Sequence, residues 1–378
     1  MSRRIAMIAP PWYPIPPSGY GGIELVVALL AKELRKGGDD VVLFGEDTSE
    51  LVSYPMAPSD WSEDLGAPRE RWRELTYAAQ TLPTLQRLGD FDVIHDHCGM
   101  ATLLGAAVAN HAKVVHTVHG PIGEPERTYY GALPPSVGLV AISSAQRQTA
   151  PSLRWIGTVP NAVDVDALAT DTRDDDDPYL LLLARICRDK GQHVAIEVAK
   201  RAHLRLILAG KTENTPDGRE YFEREIEPAI DGDRVVHISD SAGADKARLL
   251  ARATAFLAPL QWEEPFGLAY AEAMVSGTPV IAFPRGAAPQ LIAEGVTGLL
   301  VKDADAMVKA VHSVRDIDRE RCAAVAREQF SPATMADGYR AVYDAAASSD
   351  LRELAEEDDR RTAMAAAPAS TAPSPAPA

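Results

Sequence analysis

Two glutamates flank a glycine-containing segment in the second half of the chain. The segment Trp262–Met274 reads WEEPFGLAYAEAM, with Glu264 ahead of a predicted helix and Glu272 about two turns into it. A carboxylate can accept hydrogen bonds from two neighbouring hydroxyls, so the pair could hold a sugar and a ribose. First-turn amides at Gly267 and Leu268 could receive a phosphate between them. The alternative is a helix cap at Glu264 and a solvated Glu272, although the apolar neighbours of Glu272 favour burial.

Two cations follow a predicted strand earlier in the same half. Arg185 and Lys190 lie in ARICRDKG, directly after the apolar run Tyr179–Leu183. Ligands of parallel α/β sheets bind beyond the carboxyl ends of the strands, so these side chains are placed to meet a diphosphate. Arg offers a planar fork of donors and Lys a point charge. Taken alone, an ordinary basic surface loop is the simpler interpretation.

A glycine-rich loop lies near the start of the chain. After the apolar run Ile5–Ala9 comes PPWYPIPPSGYGGIE, in which Gly21 and Gly22 enter a predicted helix. Free amides and the positive end of a helix can cradle an anion there. The loop begins like the dinucleotide fingerprint GxGxxG, but Glu24 occupies its last position, which disfavours a nicotinamide dehydrogenase. Glycines that serve only a tight turn are an equal alternative.

The elements that must position these groups alternate along the chain. Short apolar runs typical of buried parallel strands alternate with helical patterns, which predicts doubly wound sheets in two Rossmann-like lobes. Strands are predicted over Ile5–Ala9, Val41–Phe44, Val93–Ile94, Val114–Val118 and Leu139–Ile142, then Tyr179–Leu183, Arg205–Leu208, Val235–Ile238, Ala255–Ala258 and Pro279–Ala282. Helices are predicted over Glu24–Lys36, Gln192–Ala202, Phe266–Ser276 (with Pro265 at its start) and Pro332–Ala347.

Composition shifts mark the domain limits. Residues 164–178 contain DTRDDDDP, a run of like charge typical of a solvated linker. We therefore predict an N-terminal lobe over residues 1–170 and a C-terminal lobe over 171–349, whose last helix can pack back on the first lobe. Residues 350–378 contain a charged extension and an Ala/Pro/Ser-rich stretch, which predicts a disordered tail.

The charge balance and the cysteine content disfavour several classes of protein. The 378 residues include 38 Lys+Arg against 54 Asp+Glu, for a net charge of -16, which disfavours nucleic-acid partners and attachment to anionic lipid. The three cysteines form no CxxC pair, and no apolar run reaches the ~18 to 20 residues of a membrane span. The N-terminal apolar run is too short for a signal peptide. These features predict a cytoplasmic protein with no integral membrane segment.

Taken together, these motifs resemble the retaining glycosyltransferases of family 4, which have the GT-B fold. The resemblance rests on Glu264-x7-Glu272 within EEPFGLAYAEAM and on further motifs in the family's order, which span residues 5 to about 301. These are Gly21-Gly22, HTVHG at His116–Gly120, AISSAQR at Ala141–Arg147, PNAVD at Pro160–Asp164 and ARICRDKG at Ala184–Gly191. The resemblance implies an α/β protein with two Rossmann-like doubly wound parallel-sheet lobes facing a central cleft.

The resemblance also implies where the substrates bind. The nucleotide-sugar donor would bind mainly to the C-terminal lobe and the acceptor to the N-terminal lobe. Arg185 and Lys190 would hold the donor diphosphate. They would be assisted by the loop of Gly21 and Gly22 and by the amides of Gly267 and Leu268.

Other matching positions would contact the sugar and the nucleoside. Glu264 and His119 would be the catalytic residues, because Glu264 would bind hydroxyls of the transferred sugar and His119 would reach and orient that sugar. Glu272 would bind the ribose, and backbone near Val235–Ile238 would lie along the edge of the nucleotide base. The sequence departs from the family pattern at Gln290, where Glu is usual, and we expect an effect on local loop contacts more than on activity.

An Asp-Val-Asp triplet is the first candidate for a metal site. Asp164 and Asp166 match the DxD pattern that grips Mn²⁺ or Mg²⁺ in other glycosyltransferases. Because Asp164 completes PNAVD at the start of the acidic segment, we interpret the pair as turn chemistry.

A set of histidines is the second candidate. His95, His97, His116 and His119 have HxH…HxxH spacing that zinc could use. The alternative is that His95 and His97 face opposite sides of a strand end and that His116 is a satisfied buried histidine. We favour this alternative and predict no metal site.

The sequence hypothesis is a hexosyltransferase that moves a sugar from a nucleoside diphosphate sugar to an acceptor hydroxyl, with retention and without metal or cofactor. The alternatives are a sugar-nucleotide epimerase or sugar phosphorylase, and a non-catalytic nucleotide-sugar binding protein. Candidate acceptor contacts are Trp12, Tyr13, Tyr20 and the segments His95–Met100 and Glu124–Tyr130, with core packing as an equal alternative for the aromatics. The sequence leaves the base, sugar, acceptor and oligomeric state open.

Overall fold

Seven strands of the first half form one parallel sheet in a computed structural model that describes residues 2–46, 50–109, 113–168, 177–239 and 243–348. The strands are β1 (Arg4–Ile8), β2 (Asp40–Glu46), β3 (Tyr54–Ala57), β4 (Val93–Asp96), β5 (Lys113–Val118), β6 (Val137–Ala141) and β7 (Trp155–Thr158), in the spatial order β3-β2-β1-β4-β5-β6-β7. Ile5 and Met7 join one apolar cluster, whereas Ala6 and Ile8 join another. Both faces of the sheet are therefore covered, as the uniformly apolar strands predict.

The described part of the second half forms a parallel sheet of six strands. They are β8 (Tyr179–Leu183), β9 (Arg205–Ala209), β10 (Val235–Ile238), β11 (Ala255–Ala258), β12 (Val280–Ala282) and β13 (Gly298–Leu300), in the order β10-β9-β8-β11-β12-β13. Strand order reverses between β1 and β4 in the first sheet and between β8 and β11 in the second. Such switch points open a crevice at the carboxyl ends of the strands, and every residue that the sequence singled out for the diphosphate follows β1, β8 or β11.

Helices cover both faces of each sheet. In the first lobe they are α1 (Gly22–Lys36), α2 (Glu70–Leu88), α3 (Met100–Ala109), α4 (Glu124–Gly131) and α5 (Ser144–Gln148). They continue with α6 (Gln192–Ala202), α7 (Pro216–Tyr221), α8 (Gly243–Arg252), α9 (Leu268–Val275), α10 (Ala288–Leu291), α11 (Ala304–Ser313), α12 (Arg319–Gln329) and α13 (Pro332–Ser348). Short 3₁₀ turns lie at Ser59–Asp64, Arg188–Lys190, Glu227–Ala229 and Val314–Asp316, and a π-helical turn at Phe222–Ile226.

The last helix returns to the first lobe. Helix α13 packs against α1, β5 and β7, and its Asp344 forms an ion pair with Arg3 near the start of the chain. Met335, Tyr339 and Tyr343 are buried in the same apolar cluster as Ile5. The acidic run 171–176 and the tail beyond residue 348 lie outside the described residues, and the domain limits stay predictions. Among the helices of the described ranges, none combines the length and apolar character that a bilayer crossing requires.

Every strand predicted from the sequence is present, within two residues of the expected ends. Strands β3, β7 and β13 were missed, because each is short and contains a proline or glycine (Pro55, Gly157 and Gly298) that interrupts its apolar run. The expected start of α9 at Phe266, with Pro265 at its first position, is wrong. Gly267 has a φ of +94° and a left-handed conformation, so the helix begins at Leu268.

Candidate functional site

The glycine loop after β1 brings the two lobes together. Gly21, which precedes α1, has a φ of +142°, and a Cβ there would lie 2.8 Å from Pro17 Cβ, so only glycine fits. A Cβ on Gly22 would lie 2.9 Å from Leu268 Cδ1 at the start of α9. Two positions that the sequence assigned to the donor site, one in each lobe, are therefore in contact.

Lys190 and Glu264, which are 74 residues apart, form an ion pair beside α9. Lys190 Nζ also lies 4.7 Å from the centre of the Trp262 ring. Each charged side chain is less than a fifth exposed, at 18% and 15%, so the pair is screened from bulk water. The sequence predicted separate roles for the two residues, and the structure places them together.

Backbone geometry fixes both members of this pair. Gly191, directly after Lys190, has a φ of +72°, and a Cβ there would lie 2.1 Å from the Pro259 carbonyl oxygen. On the other side, the Ala287 amide donates to the Glu264 carbonyl oxygen at 2.9 Å. The loops after β8, β11 and β12 are thus locked to one another.

The remaining cations of the loop after β8 differ in position. Arg185 is half-exposed, with Nη1 3.3 Å from Glu213 Oε1, and its carbonyl oxygen accepts a hydrogen bond from Gln192 Nε2. Arg188 is more exposed and pairs with Glu225. Of these cations, only Lys190 contacts Glu264 within the described residues.

Glu272 is buried, as the apolar composition of α9 predicts, and the alternative of a solvated Glu272 is wrong. Its residue surface is only 6% exposed, and Oε1 lies 2.6 Å from Lys246 Nζ on α8. Sequence reasoning missed Lys246. It lies 26 residues before Glu272 on an amphipathic helix with other basic residues, and no spacing distinguishes it from them.

His95 and His97 lie on the same side of β4, with ring centres 3.9 Å apart. The expectation that they face opposite sides is wrong, because residues two apart on a strand share a face. His97 Nδ1 lies 2.9 Å from His119 Nε2. His119, just beyond the carboxyl end of β5, is therefore held by the residue that directly follows β4.

The other histidines of this cluster have their own partners. His95 Nδ1 lies 2.6 Å from Tyr343 Oη, and His95 Nε2 lies 2.8 Å from Thr117 Oγ1. His116 Nδ1 lies 2.9 Å from Asp96 Oδ1, which confirms a satisfied buried histidine. Within the described ranges, no three His, Cys, Asp or Glu side chains come together in a way that could hold a metal ion.

Burial sets the charge of these rings. It lowers the pKa of His95 and His97 well below the ordinary value, and it lowers the pKa of His119 to about 3, with a further contribution from His116. His119 is therefore a neutral imidazole at neutral pH, which can take part in hydrogen bonds but carries no charge.

A second contact between the lobes lies next to His119 and Glu264. Ser143 Oγ donates to the Pro265 carbonyl oxygen at 2.5 Å, and Gln146 Nε2 donates to the Gly120 carbonyl oxygen at 2.8 Å. Because the Gln146 amide also donates to Ser143 Oγ, these bonds connect the segment after His119 to the segment after Glu264.

Gln290 takes part in the same contact between the lobes. Its Oε1 accepts the Ser144 amide at 2.8 Å. A glutamate at this position would offer the same acceptor, so the departure from the family pattern keeps the contact.

Asp164 acts as a turn residue, as predicted. Its Oδ1 accepts the amides of Asp166 at 3.2 Å and Ala167 at 3.0 Å. This pattern is typical of an Asx-type turn.

Two buried acids beside the glycine loop were not anticipated as a pair. Glu24 and Glu46 are 3% and 1% exposed, and the Glu46 carboxylate has no hydrogen-bond partner among the residues that the structure describes. Burial, reinforced by the charge of Glu46, raises the pKa of Glu24 to about 7. The sequence marked Glu24 only as a break in a glycine pattern.

The candidate acceptor aromatics divide into core and surface. Trp12 is buried in the apolar core of the first lobe, which favours packing over binding. Tyr20 is 57% exposed, and its ring centre lies 5.5 Å from that of Tyr13. Tyr129 Oη donates to the Met100 carbonyl oxygen at 2.5 Å, which joins the two candidate acceptor segments.

Comparison with protein families assigns both lobes. Residues 20–167 match the model described as Glycosyltransferase Family 4, and residues 167–329 match Glycosyl transferases group 1. The chain is 27% identical over 352 residues to the phosphatidyl-myo-inositol mannosyltransferase of Mycolicibacterium smegmatis, covering 86% of this chain and 88% of that protein. It is 26% identical to the alpha-maltose-1-phosphate synthase of the same organism, covering 90% and 98%.

Solved structures give the same fold. The Anabaena protein HepE in complex with UDP-glucose superposes with a TM-score of 0.69 at 17% sequence identity, over 90% of this chain and 99% of that one. The two parallel-sheet lobes described above are those of the GT-B architecture.

Proposed function

The chain belongs to glycosyltransferase family 4, and from that premise we propose that it transfers a hexose from a nucleoside diphosphate sugar, with retention and without a metal ion. Transfer of a glycosyl group follows from the family. The donor type, the stereochemistry and the metal independence are the proposal. The observation that carries it is the Lys190–Glu264 pair beside the first residue of α9, where Gly22 of the other lobe makes contact.

Lys190, Arg185 and the start of α9 form a site for the diphosphate. Negative charge develops on the leaving diphosphate as its bond to the sugar breaks, so preorganised positive groups at that point stabilise the transition state more than the ground state. Removing one such group typically costs about 3 kcal/mol in a water-excluded site. The unpaired amides of the first turn of α9 add the positive end of a helix dipole.

The pairing of Lys190 with Glu264 suggests how donor binding rearranges the site. A diphosphate competes with Glu264 for the ammonium group, because a phosphate is also an anion and carries more charge. Once released, the Glu264 carboxylate can accept hydrogen bonds from hydroxyls of the transferred sugar. The charged pair thus keeps both groups hydrogen-bonded before the donor arrives, which avoids an unpaired half-buried charge.

Glu272 and Lys246 form a second pair that fits the ribose. One oxygen of Glu272 accepts from Lys246 at 2.6 Å, and the second oxygen stays available for a ribose hydroxyl. The contact with Lys246 also fixes the orientation of this carboxylate.

In the proposed reaction, side chains neutralise the negative charge of the departing diphosphate. In other reactions with a phosphate leaving group, Mg²⁺ does this. Arg185 and Lys190 lie at the switch point of the second sheet, and the Asp164 carboxylate of the DxD triplet is engaged in its own turn. These features support a metal-independent reaction.

Retention is consistent with attack by the acceptor hydroxyl on the same face that the diphosphate leaves. The leaving phosphate oxygen can take the acceptor proton, so the reaction needs no carboxylate nucleophile. Glu264, already paired with Lys190, fits the role of a hydroxyl acceptor. Contact between the lobes at Gly22 and at Gln290 would exclude water from the reacting bond and limit hydrolysis.

The named relatives support a hexose as the transferred group. One is a mannosyltransferase, another is a maltose-1-phosphate synthase, and the HepE structure contains UDP-glucose. Their acceptors differ, so they leave the acceptor of this chain open within the class of hydroxyl compounds.

Ligand-dependent melting followed by a product assay tests the proposal. UDP, GDP, ADP and dTDP are compared first, because a ligand of the folded state raises stability in proportion to ln(1 + [L]/Kd). Hexoses linked to the selected nucleotide are then incubated with an acceptor panel in EDTA, and the anomeric configuration of the product is read by NMR. The proposal predicts one preferred nucleotide, transfer in EDTA and a retained configuration. Loss of transfer in EDTA that Mg²⁺ restores, or an inverted product, would contradict it.

A further inference from the structure

Large apolar side chains are exposed almost entirely on one side of the first lobe. Seven are exposed in the described residues, and all but Tyr20 lie between residues 65 and 108. The six are Leu65, Trp72, Leu75, Met100, Leu104 and Val108. Trp72 is 67% exposed and Val108 is 72% exposed, so little protein surrounds them. A contiguous apolar patch of this kind marks an interaction site rather than ordinary surface.

The outer side of α2 contributes a continuous stripe to this patch. From residue 72 onward, its exposed positions recur every three to four residues, so they share one helix face. They are Trp72, Leu75, Thr76, Ala79, Gln80, Pro83, Gln86 and Arg87. No Asp or Glu belongs to this stripe as the structure describes it, although the chain has a net charge of -16.

Helix α3 lies beside α2 and contains no charged residue. Its sequence MATLLGAAVA places Met100, Leu104 and Val108 four residues apart, and all three are exposed. A Cβ on Gly105 would lie 2.1 Å from Leu82 Cδ1, so the two helices are in close contact. The exposed residues of both helices therefore form one surface, which we call the α2–α3 face.

The α2–α3 face points away from the sheet. Tyr77 of α2 and Leu103 of α3 are buried in the apolar cluster that also contains Ile8. Helices α1 and α13 pack on the opposite side of the sheet, in the cluster that contains Ile5. The returning helix α13 therefore covers the other side of the first lobe and leaves the α2–α3 face open.

The charges around the face favour a protein partner over a lipid surface. Near the start of α2, Glu63 and Arg71 are both exposed. Near its end, Arg87 and Asp90 are both exposed. Anionic lipid selects clustered Lys and Arg, whereas a protein interface combines a polar rim with an apolar centre rich in Trp and Met. Two copies of a strongly acidic chain also repel each other least through a face that carries no acid.

The size of the face fits a weak dimer. Helix α2 has 19 residues and α3 has 10, which makes them about 28 Å and about 15 Å long. At a width of about 10 Å for each helix, their outer sides cover roughly 430 Å² in one chain. Pairing two copies would bury roughly 900 Å², near the lower end of specific interfaces, where association is weak.

We propose that the α2–α3 face is the contact surface of a homodimer, in which two copies of this chain pair about a two-fold axis and bury Trp72, Leu104 and Val108. In a two-fold pairing the same surface serves both copies, so assembly stops at two chains. The dimer is independent of the donor, the acceptor and the stereochemistry of the proposed transfer reaction.

Sedimentation velocity of the full ligand-free chain tests the dimer. Over about a hundredfold range of micromolar protein concentrations, the wild-type chain should shift from the monomer mass toward twice that mass. Hydrogen exchange at the two ends of this range locates the contact, and we expect slower exchange in α2 and α3 at high concentration. A chain that stays monomeric throughout, or protection confined to other elements, would overturn the proposal.

Acidic substitutions on the face test which residues form the contact. Leu104→Glu combined with Val108→Glu adds two charges at exposed positions, so the monomer can accommodate them, and circular dichroism checks its helix content. We expect the dimer Kd to rise at least about a hundredfold. Ala324→Glu combined with Ala333→Glu is the matched control, because both alanines are exposed on helices outside the face. The control should dimerise like the wild type. Equal dimerisation of the Leu104→Glu, Val108→Glu variant would overturn the proposal.

Vesicles distinguish a second copy from a lipid surface. The wild-type chain is sedimented with phosphatidylcholine vesicles and with vesicles that also contain phosphatidylglycerol, and we expect binding to neither. Vesicle binding that the Leu104→Glu, Val108→Glu variant loses would assign the face to lipid and overturn the dimer proposal.

Discussion

Gly22 and Leu268 are the first residues of two helices from different lobes, and a Cβ on residue 22 would come within 2.9 Å of Leu268 Cδ1. The positive ends of α1 and α9 therefore face a common space at the contact between the lobes. A diphosphate placed there meets unpaired amides from both helices, together with Lys190 from the loop after β8. Closing the lobes around a donor would bring all of these groups onto one anion.

Loss of the Lys246 partner should expose how much Glu272 depends on it. Lys246→Ala leaves a carboxylate that is 6% exposed without its cation, and we expect about 2 kcal/mol lower free energy of unfolding, measured by urea denaturation. Nucleotide affinity should fall in the same variant. The double variant with Glu272→Gln should recover part of the stability, because it removes the unpaired charge.

Arg248→Ala is the matched control for this pair. Arg248 lies on the same helix, is more exposed and pairs with Asp245 at 3.2 Å, so its loss should change stability by less than about 0.5 kcal/mol. If Lys246→Ala and Arg248→Ala lowered the free energy of unfolding equally, the buried Lys246–Glu272 pair would contribute no more to stability than an exposed pair.

Gly191 should be intolerant of a side chain for two separable reasons. Gly191 and Gly38 both have positive φ, at +72° and +93°, so alanine costs about 1 kcal/mol or more at either position. A Cβ on residue 191 would also meet the Pro259 carbonyl oxygen at 2.1 Å, whereas nothing lies within 4 Å at residue 38. We expect Gly191→Ala to lose about 2 kcal/mol more than Gly38→Ala in urea denaturation. Equal losses would mean that the close approach to Pro259 is unimportant.

The buried Glu24 should make stability depend on pH. Its pKa is raised from 4.5 to about 7 in the folded protein, so its contribution to stability is complete below about pH 4.5 and is lost as the pH rises through 7. Glu24→Gln removes this loss. The melting temperature of Glu24→Gln relative to the wild type should therefore rise between pH 5 and pH 8, by the equivalent of about 2 to 3 kcal/mol.

Glu33→Gln on the same helix provides the comparison for Glu24. Glu33 pairs with the exposed Lys36, so the substitution should give a nearly constant difference in melting temperature over the same pH range. A Glu24→Gln difference that is likewise independent of pH would contradict the assigned protonation of Glu24.

The fold could be predicted from the sequence because its strands are buried on both faces. Uniformly apolar runs such as Tyr179–Leu183 allow no other placement, and parallel pairing follows from the intervening helices. The short strands β3, β7 and β13 were missed because Pro55, Gly157 and Gly298 interrupt their apolar patterns. The sequence allowed the last helix to pack back on the first lobe. Its contacts could not be identified, because Tyr339 and Tyr343 meet residues of a sheet that lies more than 200 residues earlier.

The part of the candidate site that could be predicted from the sequence consists of residues that follow neighbouring strands, because these residues meet at the same end of the sheet. Lys190 and Glu264 follow β8 and β11, and neighbouring strands place such residues together. The partners of these groups were not predictable. Lys246 comes from a helix whose sequence gives no sign of the contact, and His97 was assigned to the wrong side of β4 through a mistaken strand periodicity.

Transfer by the Arg185→Ala, Lys190→Ala double variant tests the central claim most directly. Arg188→Ala serves as the control, because Arg188 lies in the same loop, is exposed and pairs with Glu225 rather than with Glu264. The measurement is kcat/KM for the nucleotide hexose selected by the melting panel, together with the Kd of its free nucleoside diphosphate. We predict a loss in kcat/KM of about a thousandfold or more and weaker nucleotide binding in the double variant, with near wild-type values for Arg188→Ala. Transfer by the double variant at close to the wild-type rate would contradict the assignment of these cations to the departing diphosphate.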